Sequence, residues 1–498
     1  MAWSYVGKGA KQVPRKEVVT MIGLDFGSTT SSAIVAHARV GRSTATGRMT
    51  FGNPEIVYRS EPIFTPFEGN RIDEGALQKY LHRWLQESCV TPEELFSGGA
   101  IITGLATEKH NAGRIAQLVK ERVGDAIIAT ASDPCLESWL AFMGSCSALS
   151  RCNPDRPIIN LDIGGGTTNP ALGLNGNVLT TGCYYVGARH FQFEPGTYIL
   201  TAISDYARIL LQHLGIFRTT GEILSFAERD AVLDFYLAML ETIVSGDADF
   251  STEPAMQAHT QVPLAVKNDE QKPTITFSGG VGELIYLYST NNALPGTTHY
   301  GDLGIDLAIR IAKSPLLSVS VTSLIPENMG RATVYGLAIH STEISGSTLF
   351  LPKREILPLQ DLPIVGRISM EEGEAKIEQL LALVARSGGG AIQIISAIET
   401  FQPSSILQGP VVEKRERVKS LGQKICEGLQ TLKFPPDTPL VLLAPNNFGK
   451  SLGNYATNWR KLATNLIVID EISDRNAHFV NIGRNFNNIV PVSFYGVQ

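Results

Sequence analysis

The sequence predicts an α/β protein whose sheets are mostly parallel and covered on both faces, and three observations carry the prediction. Short apolar runs of strand length alternate with longer stretches of helical period. Two of the runs end in the same pattern of Asp, Gly and hydroxyl residues. The composition, 43% hydrophobic against 18% charged over 498 residues, supplies apolar material for about three domains at roughly 150 residues each.

In chain order, buried strands are expected at 18–24, 100–103, 126–129, 158–161, 274–277, 391–395, 440–444 and 466–469. Each is mostly apolar and too short for a stable helix. Helical periodicity covers 75–87, 111–123, 198–214, 231–244 and 376–385, and the glycine-rich or polar stretches 41–52, 248–272 and 353–366 read as loops or linkers. The divisions expected are a leader over 1–19, a first domain over 20–158, a second over 159–350 and a C-terminal α/β region over 351–498.

Charge and ends narrow the function. With 42 basic and 48 acidic side chains the net charge is −6, which gives no electrostatic reason to expect a nucleic-acid or membrane-surface partner. No apolar run approaches the ~20 residues that span a bilayer. Lys8, Lys11, Arg15 and Lys16 precede the apolar run at 18–24 in the manner of a signal peptide. That run enters Asp25 with no small-residue cleavage site, so it reads as the first strand and the chain as cytoplasmic. The six cysteines form no C-x-x-C pair and the nine histidines no H-E-x-x-H, so the cysteines read as buried small hydrophobes and no protein-held zinc is expected.

The chemistry lies in two matching turns. Ile22-Gly23-Leu24-Asp25-Phe26-Gly27-Ser28-Thr29-Thr30 and Asn160-Leu161-Asp162-Ile163-Gly164-Gly165-Gly166-Thr167-Thr168 are each an apolar strand, an Asp, then Gly and hydroxyl residues. Glycine lets consecutive N–H groups converge on phosphate oxygens, and Ser or Thr adds hydroxyl donors. An Asp at the strand end can hold water bound to Mg²⁺. One such turn is an ordinary hairpin; two, followed by Thr276-Phe277-Ser278-Gly279-Gly280-Val281-Gly282, point to a nucleotide cleft. Asp133 and Glu137 lie where a water-orienting group would sit, but acidic residues at a helix start ordinarily serve as caps.

A rival phosphate site stands near the C-terminus. Ala444-Pro445-Asn446-Asn447-Phe448-Gly449-Lys450-Ser451 follows a strand and resembles a P-loop with Ala444 in place of the first Gly, and 466–471 resembles the second strand of such a site. Pro445 restricts Ala444 to extended backbone, so the turn is expected to be structural. Tyr184, Tyr185, Phe191 and Phe193, His340, and the Lys414–Lys419 run are expected to be packing, structural and solvated residues respectively.

The ordered set of turns resembles the actin, Hsp70 and sugar-kinase superfamily. That resemblance implies two ribonuclease-H-like domains closed over ATP. Asp25 and Asp162 would hold hydrated Mg²⁺, while Gly27, Ser28, Thr29, Thr30, Gly164, Gly165, Gly166, Thr167 and Thr168 cradle the phosphates and Gly279 and Gly280 border the nucleoside. Connecting helices would lie near 133–142 and 330–339, where Gly336-Leu337-Ala338 suits close packing. Over nearly all residues after 19 the chain resembles the ethanolamine ammonia-lyase reactivating proteins. The resemblance is carried by 22–30, 102–107, 160–168, 328–334, 340–348, 448–452 and the segments 479–484 and 490–496. It implies a chaperone that uses ATP and Mg²⁺ to release damaged cobalamin from ethanolamine ammonia-lyase so that intact adenosylcobalamin can enter. Enclosure in a bacterial microcompartment is a further family expectation that 1–19 does not decide, and a homo-oligomer is left open. Rival readings are a sugar or amino-alcohol kinase of the same fold and a non-hydrolysing scaffold.

Overall fold

The computed structural model describes residues 18–497 apart from 43–48, 53, 69–70, 104–105, 107–109, 124–126, 132–133, 247, 267–271, 347 and 396–410. The leader expectation over 1–19 therefore lies almost wholly outside the described residues, as does Asp133.

Two sheets share one wiring. In the first, Val18–Phe26 and Thr30–Arg42 form an antiparallel hairpin, and Leu95–Ile102 then Ile127–Ala131 add in parallel beside Val18–Phe26. In the second, Ile158–Ile163 and Thr168–Leu174 form the hairpin and Thr274–Ser278 adds in parallel beside Ile158–Ile163. A third sheet of seven strands runs in the order Thr342–Ser345, Val490–Val497, Ala477–Ile482, Leu359–Ile368, Gly390–Ile394, Pro439–Leu443, Asn465–Ile469, and its last four strands are parallel. All eight expected strands are present.

Some expectations needed correction. Within 198–214, Leu200–Ile203 is a strand, and the helix Asp205–His213 begins only where the Ser204 hydroxyl accepts the Ala207 N–H at 3.1 Å. The expected loop 353–366 contains Leu359–Ile368, an inner strand of the third sheet. The loops at 41–52 and 248–272 hold the short strands Met49–Phe51 and Thr260–Val262 and the helices Ala248–Ser251 and Pro254–Ala258. Cys135, Cys146, Cys183 and Cys426 are buried, but Cys89 and Cys152 are exposed.

Two helices cross between the first two sheets. Pro134–Ser145 packs under the second sheet, where Phe142 meets Gly173, and Ala332–His340 lies on the first, where Gly23 faces Val334 and Ala338. An added Cβ on Gly144 would overlap the Ala332 carbonyl, and one on Gly336 the Leu140 carbonyl, so the helices touch backbone to backbone. Val334, Ala338 and Ile339 complete an apolar cluster with Met21, Ile34, Ala36 and Phe96 of the first sheet.

The third sheet is fastened to the first lobe. Asp361 pairs with Lys120 at 3.1 Å and accepts the Tyr495 hydroxyl at 2.6 Å; Glu471 accepts the Met49 N–H at 3.2 Å; Phe96 meets Phe486 edge-on. Among the described residues no helix is long and apolar enough to cross a membrane.

Candidate functional site

The shared wiring places the two Asp-bearing strand ends opposite each other. Each turn closes the same way, Gly27 N–H on Thr30 C=O at 3.0 Å and Gly164 N–H on Thr167 C=O at 2.9 Å. The turn tips meet: an added Cβ on Gly165 would overlap the Thr29 hydroxyl. Between and behind them opens a cleft of about 410 Å³ lined by Asp25, Gly27, Ser28, Thr29, Thr30, Asp162, Gly164, Gly165, Gly166, Thr167, Gly279 and Gly280. Twelve of the thirteen residues singled out in the sequence thus face one cavity, of a size typical for small-molecule sites. Thr168 does not: it is fully buried, and its hydroxyl donates to the Val186 carbonyl at 2.8 Å.

Gly279 and Gly280 open the helix Gly279–Ser289, so the cleft receives a helix N-terminus there, not only a flat glycine strand end. Gly279 has a φ of 80°, and a Cβ would lie 2.5 Å from the Ile163 carbonyl, so only glycine fits.

The carboxylates are electrostatically strained. Burial pushes Asp25 up to about 7, nearby Asp162 adds to the rise, and the Thr103 hydroxyl at 3.2 Å opposes it. Burial raises Asp162 to about 6, opposed by hydroxyls of Ser278, at 2.5 Å, and Thr333. Two carboxyl groups drawn from water and set near each other favour holding a proton or a cation.

Sequence reasoning missed these hydroxyls. Thr103, Thr333, Glu137 and Asp302 also line the cleft. Glu137 sits in the first turn of Pro134–Ser145 with its side chain buried at the wall of the cleft. Asp302 accepts the Gly304 N–H at 2.9 Å and stands 3.9 Å from Arg189. The one signal available was the hydroxyl Ser278, immediately before Gly279, at the end of a strand.

The near-P-loop turn is occupied by the protein itself. The Asp470 carboxylate, fully buried after the strand Asn465–Ile469, accepts the Gly449 N–H at 2.9 Å and the hydroxyls of Thr348 and Ser345. Lys450 is exposed. The structural reading of this turn stands. Of the aromatic residues weighed as a patch, Tyr184, Phe191 and Phe193 are buried in the core, and Tyr185 stacks on Tyr206. His340 is held uncharged by burial, which pushes it down to about 4.

Comparison with solved structures finds remote likenesses. The activator of the 2-hydroxyisocaproyl-CoA dehydratase from Clostridium difficile with bound ADPNP is 11% identical, covering 65% of this chain and 94% of its own, at a TM-score of 0.27. The ethanolamine utilization protein EutJ from Carboxydothermus hydrogenoformans is 14% identical, covering 64% and 89%, at 0.28. Sequence relatives are nearer. Proteins of Salmonella typhimurium and Escherichia coli, each described as ethanolamine ammonia-lyase reactivase EutA, are 28% identical over 479 residues, 95% of this chain and 97% of theirs. The model of the family described as ethanolamine utilisation protein EutA matches residues 16–495, and the chain belongs to that family.

Proposed function

We propose that the cleft binds ATP with a hydrated Mg²⁺ and that the protein uses it to reactivate ethanolamine ammonia-lyase, releasing damaged cobalamin so that adenosylcobalamin can rebind. The observation that carries this reading is the pair of equivalent turns meeting over one cleft with Asp25 and Asp162 behind them. The names of relatives spanning nearly the whole chain support the client.

In this reading 20–158 and 159–350 supply the two lobes and 351–498 an accessory region. Inside the bonds that close the two turns, the backbone of Ser28–Thr29 and Gly165–Gly166 would turn N–H groups to phosphate oxygens, and the N-terminus of Gly279–Ser289 would border the nucleoside. Asp25 and Asp162 fit a hydrated cation, because a positive charge relieves both their burial and their mutual repulsion. Bound there, the cation would neutralise phosphate charge. Glu137, facing the same cavity, is the candidate to orient water. Nucleotide can drive the client only if it favours one lobe arrangement over another, and contact of Thr29 with Gly165 is available only when the turns are together.

The test is recovery of activity from ethanolamine ammonia-lyase locked with cyanocobalamin, on adding this protein, adenosylcobalamin and Mg²⁺. Recovery is expected with ATP and not without it. Equal recovery without ATP, or none with it, refutes the proposal.

A further inference from the structure

We infer that Ser278 and Asn160 are positioning residues for Asp162: a single file of buried polar groups aims a donor at that carboxylate and fixes how it faces the cleft. The inference rests on the nucleotide reading above and deepens it.

Ile158–Ile163 and Thr274–Ser278 pair in parallel, with Asn160 opposite Thr276 and Asp162 opposite Ser278. Side chains alternate along a strand, so these four share one face. The other residues of Ile158–Ile163 are Ile or Leu. Asn160, Thr276 and Ser278 are completely buried, and buried amides and hydroxyls are costly unless every one is bonded.

They are bonded in one direction. Thr276 Oγ1 and Cys146 Sγ lie 3.2 and 3.4 Å from Asn160 Oδ1; Asn160 Nδ2 donates to Ser278 Oγ at 2.8 Å; Ser278 Oγ donates to Asp162 Oδ1 at 2.5 Å. The carboxylate fixes the amide. With Asn160 turned over, its oxygen would draw the Ser278 proton, leaving two oxygens 2.5 Å apart with no hydrogen between them. Asn160 and Ser278 therefore both point a donor toward the carboxylate.

The fold does not require this file. At the matching places of the first lobe stand Gly23 two residues before Asp25, with Gly99 and Ile101 on the neighbouring strand. The same wiring stands there on glycine and isoleucine, and Asp25 takes its hydroxyl from Thr103, just past the strand, so the sheet itself does not need the file. Ser278 also directly precedes the helix Gly279–Ser289, which ties the carboxylate to the nucleoside side of the cleft.

Calorimetric titration of the full chain with ATP, in Mg²⁺ and in EDTA, tests the inference. The unaltered protein is expected to bind more tightly with Mg²⁺. Ser278→Ala should lower affinity in Mg²⁺ roughly tenfold, as loss of a hydrogen bond to a charged group does, and change affinity in EDTA less than about twofold. Ser278→Thr, which keeps the hydroxyl, should restore the difference. Should Ser278→Ala not fold, Thr276→Val carries the test. It lies one link back and outside the cleft lining, and about a threefold loss confined to Mg²⁺ is expected. A folded Ser278→Ala, or in its place Thr276→Val, that keeps the full Mg²⁺ advantage overturns the positioning role alone. An unaltered protein with no Mg²⁺ advantage overturns this inference and the Mg²⁺-nucleotide reading together.

Discussion

Two kinds of phosphate-loop-like turn follow strands in this protein, and they differ in what they border. The turns after Asp25 and Asp162 border a cleft of about 410 Å³. The turn before Gly449 faces Asp470, a carboxylate of its own chain, with Thr348 and Ser345 donating to the same group. An anion sits at a helix N-terminus in the second case, as the helix dipole favours, but it is covalently part of the fold. A phosphate-loop pattern therefore specifies an anion and not its source. That is settled by whether a neighbouring strand ends in a side chain that already fills the place.

Four measurements would break or sharpen this contrast. The largest effect is expected from Asp25→Ala and Asp162→Ala, each losing roughly 10- to 100-fold in MgATP affinity and the ATP-dependent recovery of the client, with the fold intact by circular dichroism. Unchanged recovery in both would place the nucleotide elsewhere.

Asp470→Ala should do the opposite. It strands three donors in a buried site and should cost about 2–4 kcal/mol in urea unfolding, while MgATP affinity of the folded protein stays put. A large loss of nucleotide binding without loss of stability would make the near-P-loop turn the site after all.

A pH series separates the carboxylates next. Asp25 is raised from 3.8 to about 7 and Asp162 to about 6, so without nucleotide the folded protein holds protons that the unfolded chain has released. Their contribution to stability is whole below pH ~4 and is lost as pH rises toward ~7. Asp25→Asn should flatten that part of the melting-temperature profile and raise the melting temperature at pH 8. A profile identical to that of the unaltered protein would remove the burial argument. The smallest effect is expected from Lys450→Ala. It is exposed and outside the cleft, so nucleotide affinity should change less than about twofold and stability by no more than about 0.5 kcal/mol.

The strands were legible because burial on both faces leaves an apolar run, as at 158–161 and 466–469. Leu359–Ile368 was not, since Pro363 and Asp361 interrupt it and most of its side chains are only half-buried. Asp25 and Asp162 were legible because strand, carboxylate and glycine are consecutive. Ser278 and Thr333 were not, because their meeting with Asp162 depends on the pairing of strands far apart in sequence and on a helix crossing. Thr168 was included one residue too far: its side chain turns inward, to Val186.

The crossing of Ala332–His340 over the first sheet has a consequence for synthesis. Gly23 leaves the ribosome 311 residues before Val334, the residue that covers it. At about 5–20 residues per second that interval is roughly 15–60 s. Throughout it Met21, Ile34, Ala36 and Phe96 form a sheet face whose cover has not yet been made. The first lobe cannot finish folding as it emerges, and the growing chain is more exposed to aggregation than the completed molecule.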